Sequence, residues 1–213
     1  MTGLVLVGGG RFALEIATYA LDLLPATGLR IVGVIDDSQP DLADFPDAPP
    51  LLGGIADWRP QDHLHLIAIG DPVARWKIAN VLEKRGARFA TLIHPSAYVA
   101  GSATISPGAV IGPLSFIGPK AVVGEHAALN VQCALGHDAV LGRASVLSPG
   151  AKVNGSARVG EATLLGAQAV IAPRASLGSF AKLSAGSVLT RDLPDGSLAV
   201  GNPARGRVMF RRP

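Results

Sequence analysis

An aliphatic residue returns at every sixth position between residues 93 and 188 of this chain, without one slip in register. The sixteen members of the series are Ile93, Val99, Ile105, Ile111, Ile117, Val123, Leu129, Leu135, Leu141, Leu147, Val153, Val159, Leu165, Ile171, Leu177 and Leu183. The residue four positions after each of them is always small: Ala, Ser, Thr or Cys. An α-helix repeats about every 3.6 residues and a strand about every two, so neither has this period.

A six-residue repeat of aliphatic and small positions predicts a parallel β-helix, in which three short strands form one triangular coil. The aliphatic side chains fill the prism, and the small residues lie where its corners leave no room for bulk. Three hexads make one coil, so sixteen hexads predict about five coils. A low-complexity Ala/Gly linker would not keep Ile, Leu and Val in phase. The long Ala-rich flats of such a prism need covering, which favours an oligomer.

The excess of basic over acidic residues comes from the end of the chain. Lys and Arg number 19 against 16 Asp and Glu, and without the four arginines from Arg205 onward the count is 15 against 16. This distribution argues against a nucleic-acid partner and favours either a local anion site in the tail or a solvated basic end. No apolar run reaches the length of a membrane span, and the first ten residues carry no positive leader. The single cysteine, Cys133, falls on a small interior position and predicts a packing role in a reduced, cytoplasmic compartment.

The segment before the hexads begins with a strand, a glycine turn and a helix. A strand over Leu4–Val7 runs into Gly8, Gly9 and Gly10, and helical spacing follows from Phe12 to Leu24. Glycines let the backbone approach an anion closely, and a helix N-terminus presents amides to it. The pattern therefore predicts a phosphate site.

Later strands of the same segment end in acidic residues. A strand over 31–35 ends in Asp36 and Asp37, and a strand over 64–69 ends in Gly70 and Asp71, before a helix over 73–85. Carboxylates in this position can hydrogen-bond a ribose or base. A fourth strand is predicted over Phe89–Ile93, and the Pro-, Gly- and Asp-rich segment 41–60 is predicted to lie on the surface with little regular structure. The fold class is then a small Rossmann-like α/β domain over 1–92 followed by an all-β helix and tail over 93–213.

The glycine turn also fits the dinucleotide fingerprint. Gly8, Gly10 and Ala13 match G-x-G-x-x-A, with Asp36 after the second strand. About ninety residues leave room for only one mononucleotide-binding half, so a nucleotide with a single base is favoured over NAD. A tight turn without a ligand is the other interpretation of so short a motif.

Five motifs together resemble one known family. They are V-G-G-G-R-F-A-L-E-I (7–16), V-I-D-D (34–37), A-I-G-D (68–71), I-H-P-S-A (93–97) and the hexads. This combination resembles the sialic acid O-acetyltransferase/nucleotide-aminosugar N-acetyltransferase family of hexapeptide-repeat acyltransferases. The resemblance implies a left-handed β-helix, a nucleotide sugar held by the first domain, acetyl-CoA along the β-helix, and a homotrimer with active sites between subunits. The substrate-binding positions that it carries over are Gly8, Gly9, Gly10, Phe12, Asp36, Asp37, Gly70 and Asp71.

Acetyl transfer to an amine needs a base, and His137 is the predicted one. It lies outside the prism with Asp138 beside it, which orients the imidazole. The family pattern of Asn, six residues and His-Asp/Glu is matched by Asn130, His137 and Asp138, so Asn130 is a predicted substrate contact. An exposed corner histidine without a role is the alternative. The other four histidines are predicted to be surface or edge residues (His63, His65), a capping or packing residue (His94) and a solvated turn residue (His126).

The chain departs from the family pattern at two positions near His137, and the sequence predicts two further sites that contact acetyl-CoA. The family often has an acid where this chain has Gly136, and many members have a second histidine, thought to contact the acetyl donor, where this chain has Val146. Gly155 is expected one coil above His137, about 5 Å away, where it leaves room for the thioester and offers an amide, unless it is an ordinary turn glycine. The segment 201–205 resembles the family's closing segment, which places Arg205, Arg207 and also Arg211 near the CoA phosphates.

Rival functions fit the sequence less well. A β-helix metal hydratase needs converging histidines, whereas His94, His126 and His137 fall on three different faces, so no metal is expected. A sugar nucleotidyltransferase needs a larger first domain. O-acetylation of a sialic-acid-like sugar and a non-enzymatic nucleotide- or NAD-binding scaffold stay open. The predicted function is acetyl transfer from acetyl-CoA to the amino group of a nucleotide-linked sugar, such as a 4-amino-4,6-dideoxy sugar.

Overall fold

A computed structural model describes residues 3–38 and 48–213. Its first unit is a five-stranded sheet with two helices. The elements are β1 (Gly3–Val7), α1 (Arg11–Thr27), β2 (Arg30–Ile35), β3 (Leu51–Gly53), β4 (Leu64–Ile67), α2 (Pro72–Lys84) and β5 (Arg88–Phe89). The strand order is β3-β2-β1-β4-β5, and every pairing is parallel. All five carboxyl ends therefore meet at one edge of the sheet.

Two details of this unit differ from the prediction. The predicted strand Phe89–Ile93 is wrong as one element, because β5 ends at Phe89 in the sheet and the next strand, Leu92–Ile93, pairs with Val110–Ile111 instead. The predicted irregular segment 41–60 contains β3, which pairs with β2; residues 41–47 of it lie outside the described residues. β5 has two residues and β3 has three, so neither is long enough for the alternation of apolar and polar residues that marks a strand to be recognised in the sequence.

The hexads form a triangular β-helix with a two-residue strand in each hexad. The strands are β6 (Leu92–Ile93), β7 (Tyr98–Val99), β8 (Thr104–Ile105), β9 (Val110–Ile111), β10 (Phe116–Ile117), β11 (Val122–Val123), β12 (Ala128–Leu129), β13 (Ala134–Leu135), β14 (Val140–Leu141), β15 (Val146–Leu147), β16 (Lys152–Val153), β17 (Arg158–Val159), β18 (Leu164–Leu165), β19 (Val170–Ile171), β20 (Ser176–Leu177), β21 (Lys182–Leu183) and β22 (Val188–Leu189). Each strand pairs with the strand eighteen residues further on, as Phe116 does with Ala134. Three hexads per coil are thereby confirmed.

Three sheets make the three faces of the prism. The first face contains β6, β9, β12, β15, β18 and β21, the second contains β7 to β22 in steps of three, and the third contains β8 to β20 in the same steps. The aliphatic positions from Ile111 to Leu183 pack in one buried core with the alanines and the cysteine at the small positions from Ala109 to Ala181. The chain ends in an antiparallel hairpin of β23 (Ser197–Gly201) and β24 (Ala204–Val208), and β23 extends the first face.

The first unit packs on the first face. Leu4 and Ile16 share one apolar core with Val110, Ala128 and Val146, the outward residues of three first-face strands. This contact explains the burial of Val146, the position at which the resemblance implies a histidine. Within the part of the chain that the structure describes, neither helix has the length and hydropathy that a bilayer crossing requires. Division of the chain at residue 92 is our proposal.

Candidate active site

The carboxyl edge of the sheet brings together most of the predicted nucleotide-binding residues. Gly8–Gly10 follow β1, Asp36 and Asp37 follow β2, and Gly70 and Asp71 follow β4, so three neighbouring strands contribute. Gly8 has φ +98°, and a Cβ there would lie 3.1 Å from Ile69 Cδ1 and closer still to its Cγ1. Only glycine fits this turn, because both the backbone angle and the packing exclude a side chain.

Asp36 is bound to the glycine turn itself. Gly9 N donates to Asp36 Oδ2 at 2.6 Å, and the backbone N and Oγ of Ser38 donate to Oδ1, both at 2.7 Å. Burial alone would raise the pKa of Asp36, but these hydrogen bonds hold the pKa below its ordinary value. The Gly9 amide is therefore not available to a phosphate while this hydrogen bond is made.

The other edge residues differ in what they offer a ligand. Asp71 caps α2, since its Oδ1 accepts from Ala74 N at 2.7 Å, with Pro72 as the first helical residue. Asp37 Oδ1 accepts from Ala56 N at 3.2 Å. Gly70 has open space where a Cβ would lie, and Phe12 is half-buried against the apolar core. The edge thus has open space beside the backbone of Gly70, whereas the carboxylates of Asp37 and Asp71 mainly accept hydrogen bonds from backbone amides of the first unit.

A cavity of about 460 Å³ adjoins this edge. Asp71 and Val73 lie on one side of it, Leu164 and Lys182 of the first face on another, and the tail closes the third. Arg212 fastens the tail, because it pairs with Glu161 at 2.9 Å and lies over the rings of Trp76 and Phe180. Sequence reasoning missed this contact, since its members come from four separate segments.

A buried network joins α2 to the corner between the third and first faces. Arg75 is fully buried and donates four hydrogen bonds, of 2.7 to 3.0 Å, to the carbonyl oxygens of Ile67, Ile69 and His126. Burial lowers the pKa of Arg75 to about 9, which leaves it charged near neutral pH. Ile67 is the last residue of β4, and Ile69 lies between that strand and Gly70, so Arg75 fixes the nucleotide edge relative to the β-helix.

The predictions of a solvated His126 and a surface His65 are wrong. His126 is 1% exposed because Phe89 packs on its ring and Glu83 Oε1 lies 2.8 Å from its Nε2. His65 is fully buried, and Trp58 Nε1 donates to its Nε2 at 2.9 Å. His94 has the predicted packing role, with Asp22 Oδ2 2.9 Å from its Nε2.

His137 and Asp138 form an exposed pair at the corner between the second and third faces. His137 Nδ1 lies 2.9 Å from Asp138 Oδ2, and 67% of the His137 side chain is exposed. A carboxylate only accepts, so Nδ1 carries the hydrogen and Nε2 of the neutral ring is left as a base. Asp138 adopts φ +57°, and its N donates to Pro119 O at 3.0 Å. The turn thus fixes the residue that orients the imidazole.

Gly155 stacks on His137 as its spacing predicts, but for a different reason. A Cβ at Gly155 would lie 2.7 Å from His137 Cε1 and closer still to Nε2. The glycine therefore makes room for the imidazole itself, and its expected contact with a thioester stays a prediction.

Cys133 points into the prism and is 1% exposed, as predicted. Burial raises the pKa of its thiol to about 12, so it does not provide a thiolate nucleophile.

The remaining predicted residues lie elsewhere in the chain. Asn130 follows a first-face strand, so it lies at the corner between the first and second faces and not beside His137. Arg205 and Arg207 are exposed on β24, where they border a cavity of about 360 Å³ with apolar Leu198 and Val200. His137 lies at the corner opposite the first face, and hence on the other side of the prism from the nucleotide edge. One chain does not bring these groups together.

Comparison with known proteins identifies the family. A scan against protein-family models and a search of curated proteins gave no match. Among solved structures, PerB from Caulobacter crescentus, in complex with CoA and GDP-perosamine, is 30% identical with a TM-score of 0.85, over 97% of this chain and 98% of that chain. The chain belongs to the sialic acid O-acetyltransferase/nucleotide-aminosugar N-acetyltransferase family of hexapeptide-repeat acyltransferases.

Two other solved structures match nearly the whole of this chain. The acetyltransferase domain of PglB from Neisseria gonorrhoeae, in complex with acetyl coenzyme A, is 26% identical with a TM-score of 0.84, over 95% of this chain and 98% of that one. WeeI from Acinetobacter baumannii is 25% identical with a TM-score of 0.84, over 97% and 100%. These matches confirm the predicted left-handed β-helix behind a small α/β unit.

Proposed function

We propose that this protein transfers the acetyl group of acetyl-CoA to the amino group of a nucleotide-linked sugar, such as a 4-amino-4,6-dideoxy sugar, with His137 as general base. The observation that carries the proposal is the exposed His137–Asp138 pair. It occurs in a chain that spans nearly all of a relative whose structure holds CoA and GDP-perosamine. The metal-hydratase alternative has no support, since His94, His126 and His137 each lie at a different corner with a different carboxylate.

The transfer proceeds directly, without an acyl-enzyme. The sugar amine attacks the thioester carbonyl, and His137 Nε2 removes its proton as the C–N bond forms. Asp138 stabilises the imidazolium through Nδ1. When the C–S bond breaks, the imidazolium returns the proton to the leaving CoA thiolate, which balances the step. The buried, protonated Cys133 takes no part.

The nucleotide sugar binds at the carboxyl edge of the sheet, over Gly8–Gly10 and beside Asp36, Asp37, Gly70 and Asp71. This placement follows the general rule that open parallel sheets bind ligands outside the carboxyl ends of their strands. Phe12 supports the edge from the apolar core. Asp36 already accepts one hydrogen bond at Oδ2 and two at Oδ1, so a single ribose hydroxyl binds to the remaining lone pair of Oδ2.

Acetyl-CoA lies along the β-helix between His137 and the C-terminal hairpin. Arg205 and Arg207 suit its phosphates, and the apolar Leu198 and Val200 beside them suit the adenine. Gly155, which borders the His137 ring, donates its amide to the thioester oxygen. Asn130 binds the acceptor sugar.

A homotrimer completes this site. Within one chain the nucleotide edge lies over the first face and His137 at the opposite corner, so a second copy must supply one of them. The second face offers a surface for association, with Tyr98 and Phe116 stacked at 5.4 Å and 60% and 44% exposed. Light scattering at micromolar concentration should give three times the chain mass; a monomer would contradict this assembly.

The function is tested by an activity screen. GDP-, UDP- and dTDP-linked 4-amino sugars are each incubated with acetyl-CoA, and CoA release and the acetylated product are measured. Matched nucleotide sugars with a hydroxyl in place of the amine distinguish N- from O-acetylation. We expect an N-acetylated product with at least one amino sugar. Release of CoA with only the hydroxyl compounds, or with none, would refute the proposed reaction.

A further inference from the structure

Tyr19 connects the helix that follows the glycine turn to Asn130. It lies eight residues after Arg11, the first residue of α1, which places it about 12 Å along the helix axis at 1.5 Å per residue. Its hydroxyl lies 3.3 Å from Asn130 Oδ1 and 3.4 Å from Glu15 Oε2. A single helix therefore carries the phosphate turn at its start and a hydroxyl on a predicted sugar contact two turns later.

The Asn130 carboxamide is held in one orientation. Val131 N donates to Asn130 Oδ1 at 2.7 Å, and a backbone amide only donates, so the atom facing it must be the oxygen. Ser115 Oγ fixes the backbone by donating to Asn130 O at 2.9 Å. Among the residues that the structure describes, none hydrogen-bonds Asn130 Nδ2. The two amide hydrogens therefore have no partner within this part of the chain.

The Tyr19 ring is also fixed. His94 packs edge-on against it with ring centroids 5.7 Å apart, and Asp22 holds the His94 ring at 2.9 Å. Burial first, and Glu15 second, raise the pKa of Tyr19 to about 12, so the hydroxyl keeps its hydrogen throughout the working pH range. A protonated hydroxyl between two acceptors donates to Asn130 Oδ1, to Glu15, or to both.

We propose that Tyr19 is a positioning residue for the acceptor: its hydroxyl and Val131 N together orient Asn130 so that Nδ2 donates to a hydroxyl oxygen of the nucleotide-linked sugar. This inference rests on the proposed function. It extends that function by assigning a positioning role to Tyr19, a residue that does not itself contact the substrate. A sugar hydroxyl is the suitable partner because an amide NH₂ donates to oxygen and is repelled by the ammonium form of the amine.

The test is a double-mutant cycle with Tyr19→Phe and Asn130→Ala, assayed with the amino sugar nucleotide that reacts best in the screen. Tyr19→Phe removes only the hydroxyl and should raise the KM for the sugar nucleotide about 3- to 10-fold, the range expected for one lost hydrogen bond. The KM for acetyl-CoA and the Tm should not change. Because Tyr19 acts through Asn130, the double variant should have the same KM as Asn130→Ala alone. Thr18→Val, which removes an exposed hydroxyl from the neighbouring position of the same helix, is the matched control.

The outcomes separate this inference from the proposed function. If wild type acetylates an amino sugar but Tyr19→Phe has an unchanged KM, the function stands and the positioning role is refuted. Additive effects in the double variant, or equal rises in both KM values with a lower Tm, would also refute it, because Tyr19 would then act independently of Asn130 or only on the fold. No activity in the wild type would remove the proposed function and this inference with it.

Discussion

Gly155→Ala should reduce activity without reducing stability. The added Cβ would lie 2.7 Å from His137 Cε1 and closer still to Nε2, inside contact distance, so the imidazole must rotate away. The ring has space to do so, since 67% of the side chain is exposed, but the rotation breaks or bends its hydrogen bond to Asp138. A shift of about 1 Å in a catalytic group can cost about 10²-fold in rate, so kcat should fall about 10- to 100-fold.

Stability should respond in the opposite sense. Gly155 is not among the glycines with positive φ, so alanine fits its backbone, and such a change typically adds about 0.4 to 1 kcal/mol through the unfolded state. The matched control is Gly101→Ala, three coils below at the same hexad position, where a Cβ meets no atom within 4 Å. The assay is steady-state CoA release with a thermal melt of each variant. A Gly155→Ala protein with kcat within about twofold of wild type would refute the stacking argument, because the effect above predicts at least a tenfold loss.

Three further predictions concern the tail, α2 and the buried histidines. The double variant Arg205→Ala/Arg207→Ala should have a KM for acetyl-CoA about tenfold higher and an unchanged kcat, because it loses the charge-assisted hydrogen bonds to the phosphates. An unaltered KM in steady-state kinetics would exclude a role of these two arginines in CoA binding. Asp71→Ala should lower the free energy of unfolding by about 1 kcal/mol in urea melts and Asp71→Ser by much less, because serine also caps; equal losses would contradict the capping role. Burial lowers the pKa of both His126 and His65, so near and below their ordinary pKa of about 6.5 the unfolded chain binds more protons than the folded chain. Urea melts should therefore show stability falling as pH drops from 7.5 to 5.5. A flat profile would mean that the two rings bind protons equally in the folded and the unfolded chain, and would contradict the lowered pKa values.

The β-helix was predictable because its order is local. Each aliphatic position contacts the residues eighteen positions away on either side, so a six-residue period in sequence becomes a stack of identical coils. The same count placed Gly155 against His137. The hexad count did not show whether Gly155 makes room for the thioester or for the His137 ring, because the spacing of residues does not determine the side-chain rotamer of the histidine.

The contacts between the two units were not predictable in this way. Arg75 and His126 are 51 residues apart, and Glu83 and Arg143 are 60 apart, so no short pattern relates them. The burial of His126 follows from α2 and Phe89 packing on it, which its turn position in the hexad conceals. One missed assignment did have a signal: Asp71 followed by Pro72 at a helix start is the ordinary sequence of a capped N-terminus.

The role of His137 is tested most directly by kcat as a function of pH for wild type, His137→Ala and His137→Asn. General-base catalysis is typically worth about 10²- to 10⁴-fold, so both variants should lose that much kcat at neutral pH while the KM values for acetyl-CoA and the sugar nucleotide stay nearly unchanged. The loss should shrink as pH rises, because a larger fraction of the amine is then neutral and needs no base. A variant with near-normal kcat at neutral pH, or an acetyl-enzyme trapped by rapid quench, would contradict direct transfer assisted by His137.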